Sequence, residues 1–356
     1  MAVNSDYKQW LRQYRLIVAP QAGGTGYDVS ELRFAFKVEK SMNDTPNYSV
    51  LSIVNPSTDF ISSVRTGDSV TLEAGYIEGN FGLIFDGTVV QSYSSYQDGT
   101  DRVLNLVCED GDMYLNMKFV ATTLAKGASA ADKIALLTAG TPTGIIGDSV
   151  KNLPANPRGV VYFGLAANYV ERMSVASDSQ AYVDDGKVNI VAANDYADGI
   201  AVELNPDTGL LDQPTQTDDG ISAKCLLNPS IKLNTIVHID SSWILEKQKT
   251  VPKQSSSGDS GEKSGKSSKS SDTGKIKETA PLAADGMYRI VTLTYEGDTH
   301  GDSWYCTFDA ISQDGVNAAG AGGSPSSSND RSSGSSSGGS NKRQSVIYQI
   351  FRGKER

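Results

Sequence analysis

Residues 286–310 alternate. Ile290, Thr292 and Thr294 point one way, and Val291, Leu293 and Tyr295 the other. After a reversal through Gly297, Asp298, Gly301 and Asp302, the return arm sets Trp304, Cys306 and Phe308 on one face. A period of two, rich in β-branched and aromatic residues, predicts two half-buried strands. The Gly and Asp residues between them tolerate the left-handed backbone of a turn. The chain contains this hairpin twice. The earlier copy runs through residues 85–96, turns at Gln97-Asp98-Gly99-Thr100-Asp101 and returns through 102–110. The likeness extends upstream. Residues 50–54 with Asn55-Pro56-Ser57 parallel 223–227 with Asn228-Pro229-Ser230, and 69–73 parallel 235–239. Each unit reads strand, Asn-Pro turn, strand, interruption, hairpin. A duplicated unit of this length constrains the fold more than any single strand does.

The first unit adds strands at 14–18, at 32–39 and at 48–54. In the second of these Leu32, Phe34, Phe36 and Val38 face inward, while Arg33, Lys37 and Glu39 face elsewhere. The pattern changes after Met117. Ser129 reads as an N-cap with Asp132 in the first turn. Ile134, Leu136 and Leu137 form an apolar stripe that ends by Gly140. A short strand is expected at 159–163. A helix is expected over 165–175, with Leu165, Tyr169, Val170 and Met173 on one side. A hairpin is expected at 181–191 about Asp184-Asp185-Gly186. The second unit is read as strands over 221–227 and 231–243, a break from Glu246 to Ala284, and the later hairpin. The centre of the break is nearly all Ser, Gly, Lys and Asp, too poor in apolar area to offset its ordering entropy, and reads as a disordered loop.

This order of elements resembles the baseplate hub protein of contractile-tailed phages and related tail-like injection systems. The residues that carry the resemblance are Leu226-Leu227-Asn228-Pro229, residues 285–293, and Gly301-Asp302-Ser303-Trp304. It covers roughly residues 11–313. The family often has Gly near the position of Asn234, and Asn also tolerates a positive φ. The resemblance implies a mainly β fold of two tail-tube-like antiparallel β-barrels separated by a small α+β domain. The expected bounds are 1–115 for the first barrel, 116–205 for the α+β domain, and 206–314 for the second barrel with a disordered insert at 247–284. It also implies a structural virion protein rather than an enzyme. Such a protein forms a homotrimer that adapts a threefold spike to a sixfold tail tube. Its partners are the tail spike protein, the tube or a tube adapter, and other baseplate proteins. Genomic DNA passes through its channel without specific binding, and it assembles in the cytoplasm of the bacterial host.

Charge and cysteine usage fit that expectation without requiring it. The net charge of −10 argues against a basic nucleic-acid-binding surface. It suits a channel that DNA passes without sticking, although solubility accounts for it equally well. Cys108, Cys225 and Cys306 are odd in number, widely spaced and in strand-like runs. They read as buried free thiols in a reducing compartment. No apolar signal region opens the chain, and no run is long enough to span a bilayer. Residues 315–345 form a Gly/Ser linker, of which about 27 residues would span roughly 30 Å. The peptide 346–356 beyond it regains β-prone character in Val346, Ile347, Tyr348, Ile350 and Phe351. It reads either as an arm that adds a strand to a partner sheet or as a frayed terminus.

No catalytic, cofactor or metal site is expected. Asp298, His300 and Asp302 match no metal-ligand spacing, and Gly/Asp-rich turns are common. Residues 260–267 imitate a phosphate loop with one Gly out of register and no preceding strand. The pairs Asp184/Asp185 and Asp218/Asp219 sit where turns favour Asp for backbone reasons. Two alternatives remain. A tail-borne cell-wall hydrolase needs carboxylates placed across a cleft. A carbohydrate-binding adhesin needs exposed aromatic platforms, whereas Trp243 and Trp304 are expected in the core.

Overall fold

The computed structural model describes residues 9–21, 23–97, 99–192, 201–217, 220–245, 282–283 and 286–312. The break at 247–284 therefore lies almost wholly outside the described residues, and the linker 315–345 and the peptide 346–356 lie outside them entirely.

In the first unit the strands are β1 (Arg12–Ala19), β2 (Tyr27–Asp28), β3 (Phe34–Ser41), β4 (Asn47–Val54), β5 (Ser69–Tyr76), β6 (Phe81–Gln97) and β7 (Asp101–Asp110). A short helix α1 (Thr58–Ser63) follows β4; Ser57 caps it by accepting the Phe60 N–H at 3.2 Å. The middle segment holds a π-helical turn at Met113–Met117, then β8 (Phe119–Leu124), α2 (Ala130–Leu137), β9 (Thr143–Ile146), α3 (Asp148–Lys151), β10 (Val160–Leu165), α4 (Ala166–Ala176), β11 (Ser179–Asp184) and β12 (Lys187–Ala192). The second unit contributes β13 (Val202–Glu203), β14 (Thr215–Gln216), β15 (Ile221–Leu226), β16 (Ile236–His238), β17 (Met287–Asp298) and β18 (Trp304–Ser312).

The ladders reproduce the duplication. In the first unit the neighbours run β3-β4-β7-β6-β5-β1, and in the second β14-β15-β18-β17-β16-β13, the last pair being antiparallel in the first unit and parallel in the second. One irregularity also recurs. The β6–β7 register shifts between Val89 and Gln91, and the β17–β18 register between Ile290 and Thr292. Aligning the two bulges makes Ser49 the counterpart of Ile221, since they face Cys108 and Ala310. It also makes Asn55 the counterpart of Leu227, whose N–H groups bond to Arg102 and Trp304. The Asn-Pro turns are thus one residue out of step with the ladders, although the sequences align them directly. The same register makes Gly67 (φ 94°) the counterpart of Asn234 (φ 64°). Their N–H groups bond to the equivalent carbonyls of Val89 and Ile290. Asn234 is a non-glycine residue in the left-handed region, as the sequence suggested.

Thirteen strands form one sheet, mainly antiparallel, whose principal path runs β14-β15-β18-β17-β3-β4-β7-β6-β5-β1-β2. Where two closed barrels were expected, the described strands form an open path. The physical reason is β3. Its outer flank pairs with β17 of the other unit, from Thr292↔Ser41 to Asp298↔Ala35, so each ladder continues into its neighbour. One core serves both units, including Phe34, Phe36, Leu51, Leu106, Ile221, Leu293, Tyr295, Trp304 and Phe308. Full burial of each such side chain is worth about 1.5–3 kcal/mol.

The middle segment has a second core around Tyr114, Ile134, Leu137, Val150, Tyr162, Val170, Val188 and Ile190. Ser129 and Asp132 close a capping box on α2. The β11–β12 hairpin turns at Asp185 (φ 50°) and Gly186 (φ 71°), the geometry an Asp-Gly pair provides. Alternation puts Tyr182 and Val191 into the shared core and Val183, Val188 and Ile190 into the second, so this ribbon joins them. Two local readings are corrected. The run expected as strand over 231–243 is strand only at Ile236–His238, and a 3-10 turn follows at Ser241–Trp243. Trp243 is consequently 47% exposed rather than in the core.

Candidate functional site

Cross-strand partners share a face, so the registers define a surface that crosses both units. One row reads Leu226, Tyr305, Glu296, Lys37, Val50, Val107, Gln91; the next reads Lys224, Thr307, Thr294, Glu39, Tyr48, Glu109, Thr88. The side chains are tied together along it. Tyr305 donates to Glu296 at 2.6 Å, and Thr292 to Asp309 at 2.9 Å. Lys37 pairs with Glu39 at 2.7 Å. Lys224 lies 3.8 Å from the centre of the Tyr305 ring. Ser52 donates to Asn105 at 2.8 Å, and Asn105 to Ser95 at 3.0 Å. Seven strands from β15 to β6 thus present one polar face, on which Glu39, Glu109, Glu296 and Asp309 stand against Lys37 and Lys224. The opposite face of the same strands is the shared core, with Phe36, Leu51 and Leu106 in one row.

The joint between the units is held by more than the β3–β17 ladder. Arg12 of β1 donates to the carbonyls of Asp298, Gly301 and Asp302, and its guanidinium lies 5.2 Å from the Trp304 ring centre. Arg33 pairs with Asp298 at 2.9 Å. Phe36 and Tyr14 meet Trp304 edge-on at 5.5 and 6.1 Å. The turn containing His300 and Asp302 is therefore a clamp between units. Asn80, in the β5–β6 turn, donates to Asn228 of the second unit's Asn-Pro turn at 2.9 Å.

Beneath the joint lies a buried charge cluster that the sequence reading missed. Asp184 and Asp185 are more than turn-formers. Lys40, its side chain only 2% exposed, bonds to Asp184 at 2.7 Å and to Asp185 at 2.6 Å. Lys232 of the second unit reaches Asp185 at 2.7 Å. Three parts of the chain meet here: β3, the β11–β12 turn and the second unit. Burial opposes charge on Lys40, but the two carboxylates outweigh it and push its pKa up. Burial likewise opposes charge on Asp185, but Lys40 and Lys232 hold it below the ordinary carboxylate range. Asp110 is adjacent and accepts the Gly186 N–H at 2.9 Å. Burial, with Asp184 and Asp185 adding to it against Lys40, pushes it up to about 7. A signal existed in the sequence, because Lys40 breaks the alternation of β3 and takes the inward side after Phe34, Phe36 and Val38.

All three cysteines are buried and free. Cys225 and Cys306 are cross-strand partners with sulfurs 3.2 Å apart, a proximity their sequence spacing hides. Among the described residues no group of three His, Cys, Asp or Glu side chains could hold a metal ion. No described helix is long and apolar enough to cross a membrane. Val346, Ile347, Tyr348, Ile350 and Phe351 lie outside the described residues.

The family model described as "Baseplate hub gp41" matches residues 49–243, from β4 through the middle segment into the second unit. The chain belongs to the baseplate hub family. A baseplate hub protein is a component of the virion tail, and its role there is structural. Solved phage tail proteins share the fold. The 43 kDa tail protein of prophage MuSo2 from Shewanella oneidensis aligns with a TM-score of 0.53 at 10% identity, over 85% of this chain and 99% of that one. A tail protein from Neisseria meningitidis MC58 aligns with a TM-score of 0.51 at 10% identity, over 84% and 96%. No curated protein sequence matches the chain significantly.

Proposed function

We propose that three copies of this baseplate hub protein close into a ring. Each copy supplies two similar, mainly antiparallel β lobes, within 1–115 and 206–314, and a decorating domain within 116–205. A threefold ring then presents six near-equivalent surfaces, and so adapts a trimeric spike to a sixfold tail tube or tube adapter. The observation that carries this reading is the duplicated strand order, with the two units joined edge to edge through β3 and β17. The β3–β17 pairing supports the reading, because it joins one unit to its near-copy edge to edge within a single chain.

The polar face lines the channel in this reading. Its excess of carboxylates over lysines favours DNA passage without phosphate contacts during ejection. The middle domain faces other baseplate proteins, and the segment 346–351 acts as a docking arm. Assembly takes place in the host cytoplasm, and no enzymatic step is assigned to the chain.

Light scattering of the full chain over a concentration series tests this, with negative-stain imaging of the same samples. A trimer with six lobes around a central opening is expected. A monomer at every concentration would count against the ring.

A further inference from the structure

The aligned bulges also match the two units rung by rung. Cys225 on β15 faces Cys306 on β18, and the corresponding rung of the first unit is Ile53 on β4 facing Leu104 on β7. All four side chains are buried in the shared core. The duplicated ladder therefore accepts two aliphatic side chains at this rung, so packing alone does not require sulfur on either strand. Cys108 is placed differently. It faces Ser49, and the matching rung of the second unit is Ala310 facing Ile221. The rung of Cys225 and Cys306 alone sets a thiol opposite a thiol.

The backbone geometry of that rung suits a covalent link. The Leu227 N–H bonds to the Trp304 carbonyl at 3.2 Å. Hydrogen-bonded rungs alternate along an antiparallel ladder, so Cys225 and Cys306, two residues on, form another. Such a rung holds its Cα atoms about 5.5 Å apart, inside the range of roughly 4.4–6.8 Å that disulfides span. The sulfurs stand 3.2 Å apart. A disulfide bond is about 2.05 Å long, so closure asks the two side chains to share a movement of about 1.2 Å.

The two cysteines are 81 apart in sequence. The chain between them carries the Asn228-Pro229 turn, Lys232 of the charge cluster, β16 and β17. A link across the rung would pin β15 to the β17–β18 hairpin, whose other flank holds β3 of the first unit. Cross-links that close long loops restrict the unfolded chain most. The hydrogen bond with Cys306, and then burial, raise the Cys225 thiol well above its ordinary value. Thiolate is therefore scarce, and oxidation is slow. Cys225 is 1% exposed and Cys306 0%, which leaves access to small oxidants alone.

We infer that Cys225 and Cys306 form a disulfide site, open in a reducing compartment and closed by peroxide once the protein leaves it. The thiolate of one cysteine attacks hydrogen peroxide; the O–O bond breaks, hydroxide leaves, and the sulfur becomes a sulfenic acid. The second thiol then attacks that sulfur. The S–S bond forms, the S–O bond breaks, and the oxygen leaves as water. In total, two thiols and one peroxide give one disulfide and two waters. The bond is a lock on the second unit, made once and slowly, and it is independent of the ring.

Peptide mapping of the full chain after hydrogen peroxide treatment tests it, with an acid quench and alkylation before digestion. Met113 and Met117, 50% and 63% exposed, gauge the dose through their sulfoxides. A linked Cys225–Cys306 peptide is expected within single chains, with Cys108 still alkylated. The oxidised chain is expected to melt about 5 °C or more above the same sample after thiol reduction, which leaves the sulfoxides in place. Cys108→Ala should keep that difference, and Cys306→Ala should lose it. Free thiols at Cys225 and Cys306 after both methionines are fully oxidised overturn the site, as does a link through Cys108 or between chains. A link that leaves the melting temperature unchanged overturns the lock.

Discussion

The hairpins β6–β7 and β17–β18 share a neighbour order and a bulge, and they differ in what lies beyond the bulge. On β17 the next residues are covered by β3, and Leu293 and Tyr295 are buried. On β6 the corresponding Ser92 and Ser94 are exposed. One backbone plan thus serves as a finished joint in one place and an open edge in the other. The side chains have followed their surroundings: apolar where the chain supplies its own cover, small and polar where it does not.

The sharpest way to break the comparison is to open the finished joint. Lys40→Met is expected to destabilise the fold by about 3–5 kcal/mol, because it leaves Asp184 buried without its paired cation and Asp185 with Lys232 alone. Chemical denaturation would measure it. Leu293→Ala is expected to cost about 2–5 kcal/mol. Its counterpart Ser92→Ala should stay within about 0.5 kcal/mol. Equal costs at the two positions would mean that the flank of β6 is not open in solution.

Asp110 gives a pH test. Its pKa is raised in the fold to about 7 from an ordinary 3.8. The folded state therefore holds a proton there that the unfolded chain releases. The stability from this group is present below the ordinary value and is lost as pH rises toward 7. Asp110→Asn should flatten the fall in melting temperature between pH 4 and 7 relative to the parent, as read by thermal scans. The positive-φ pair gives smaller effects than the joint. Gly67→Ala is expected to cost about 1 kcal/mol. Asn234→Gly is expected to change stability by less, because glycine adopts this positive φ freely.

The strands were legible where one face is buried and the other wet, as in Phe34, Phe36 and Val38 of β3, because that asymmetry writes a period of two. The duplication was legible for the same reason. The open path of the sheet was not, since nothing local in β3 says whether its outer flank meets its own unit or the other. The charge cluster was hidden because Asp184 and Asp185 have a sufficient backbone reason to sit in a turn. Their partners Lys40 and Lys232 are distant in the chain. Trp243 is exposed because the alternation ends at His238 and a 3-10 turn at Ser241–Trp243 follows, a break that the apolar pattern of 231–243 does not mark.

The bulge has a consequence for length. Ile290 and Thr292 are two apart, yet Ile290 lies in the core and Thr292 on the polar face; Val291 is the extra residue that makes this possible. Deleting one residue there would send every later side chain of β17 to the wrong side of the sheet. Adding one would do the same. Variation among relatives should therefore change letters within this strand far more readily than it changes their number, while the loops on either side absorb insertions.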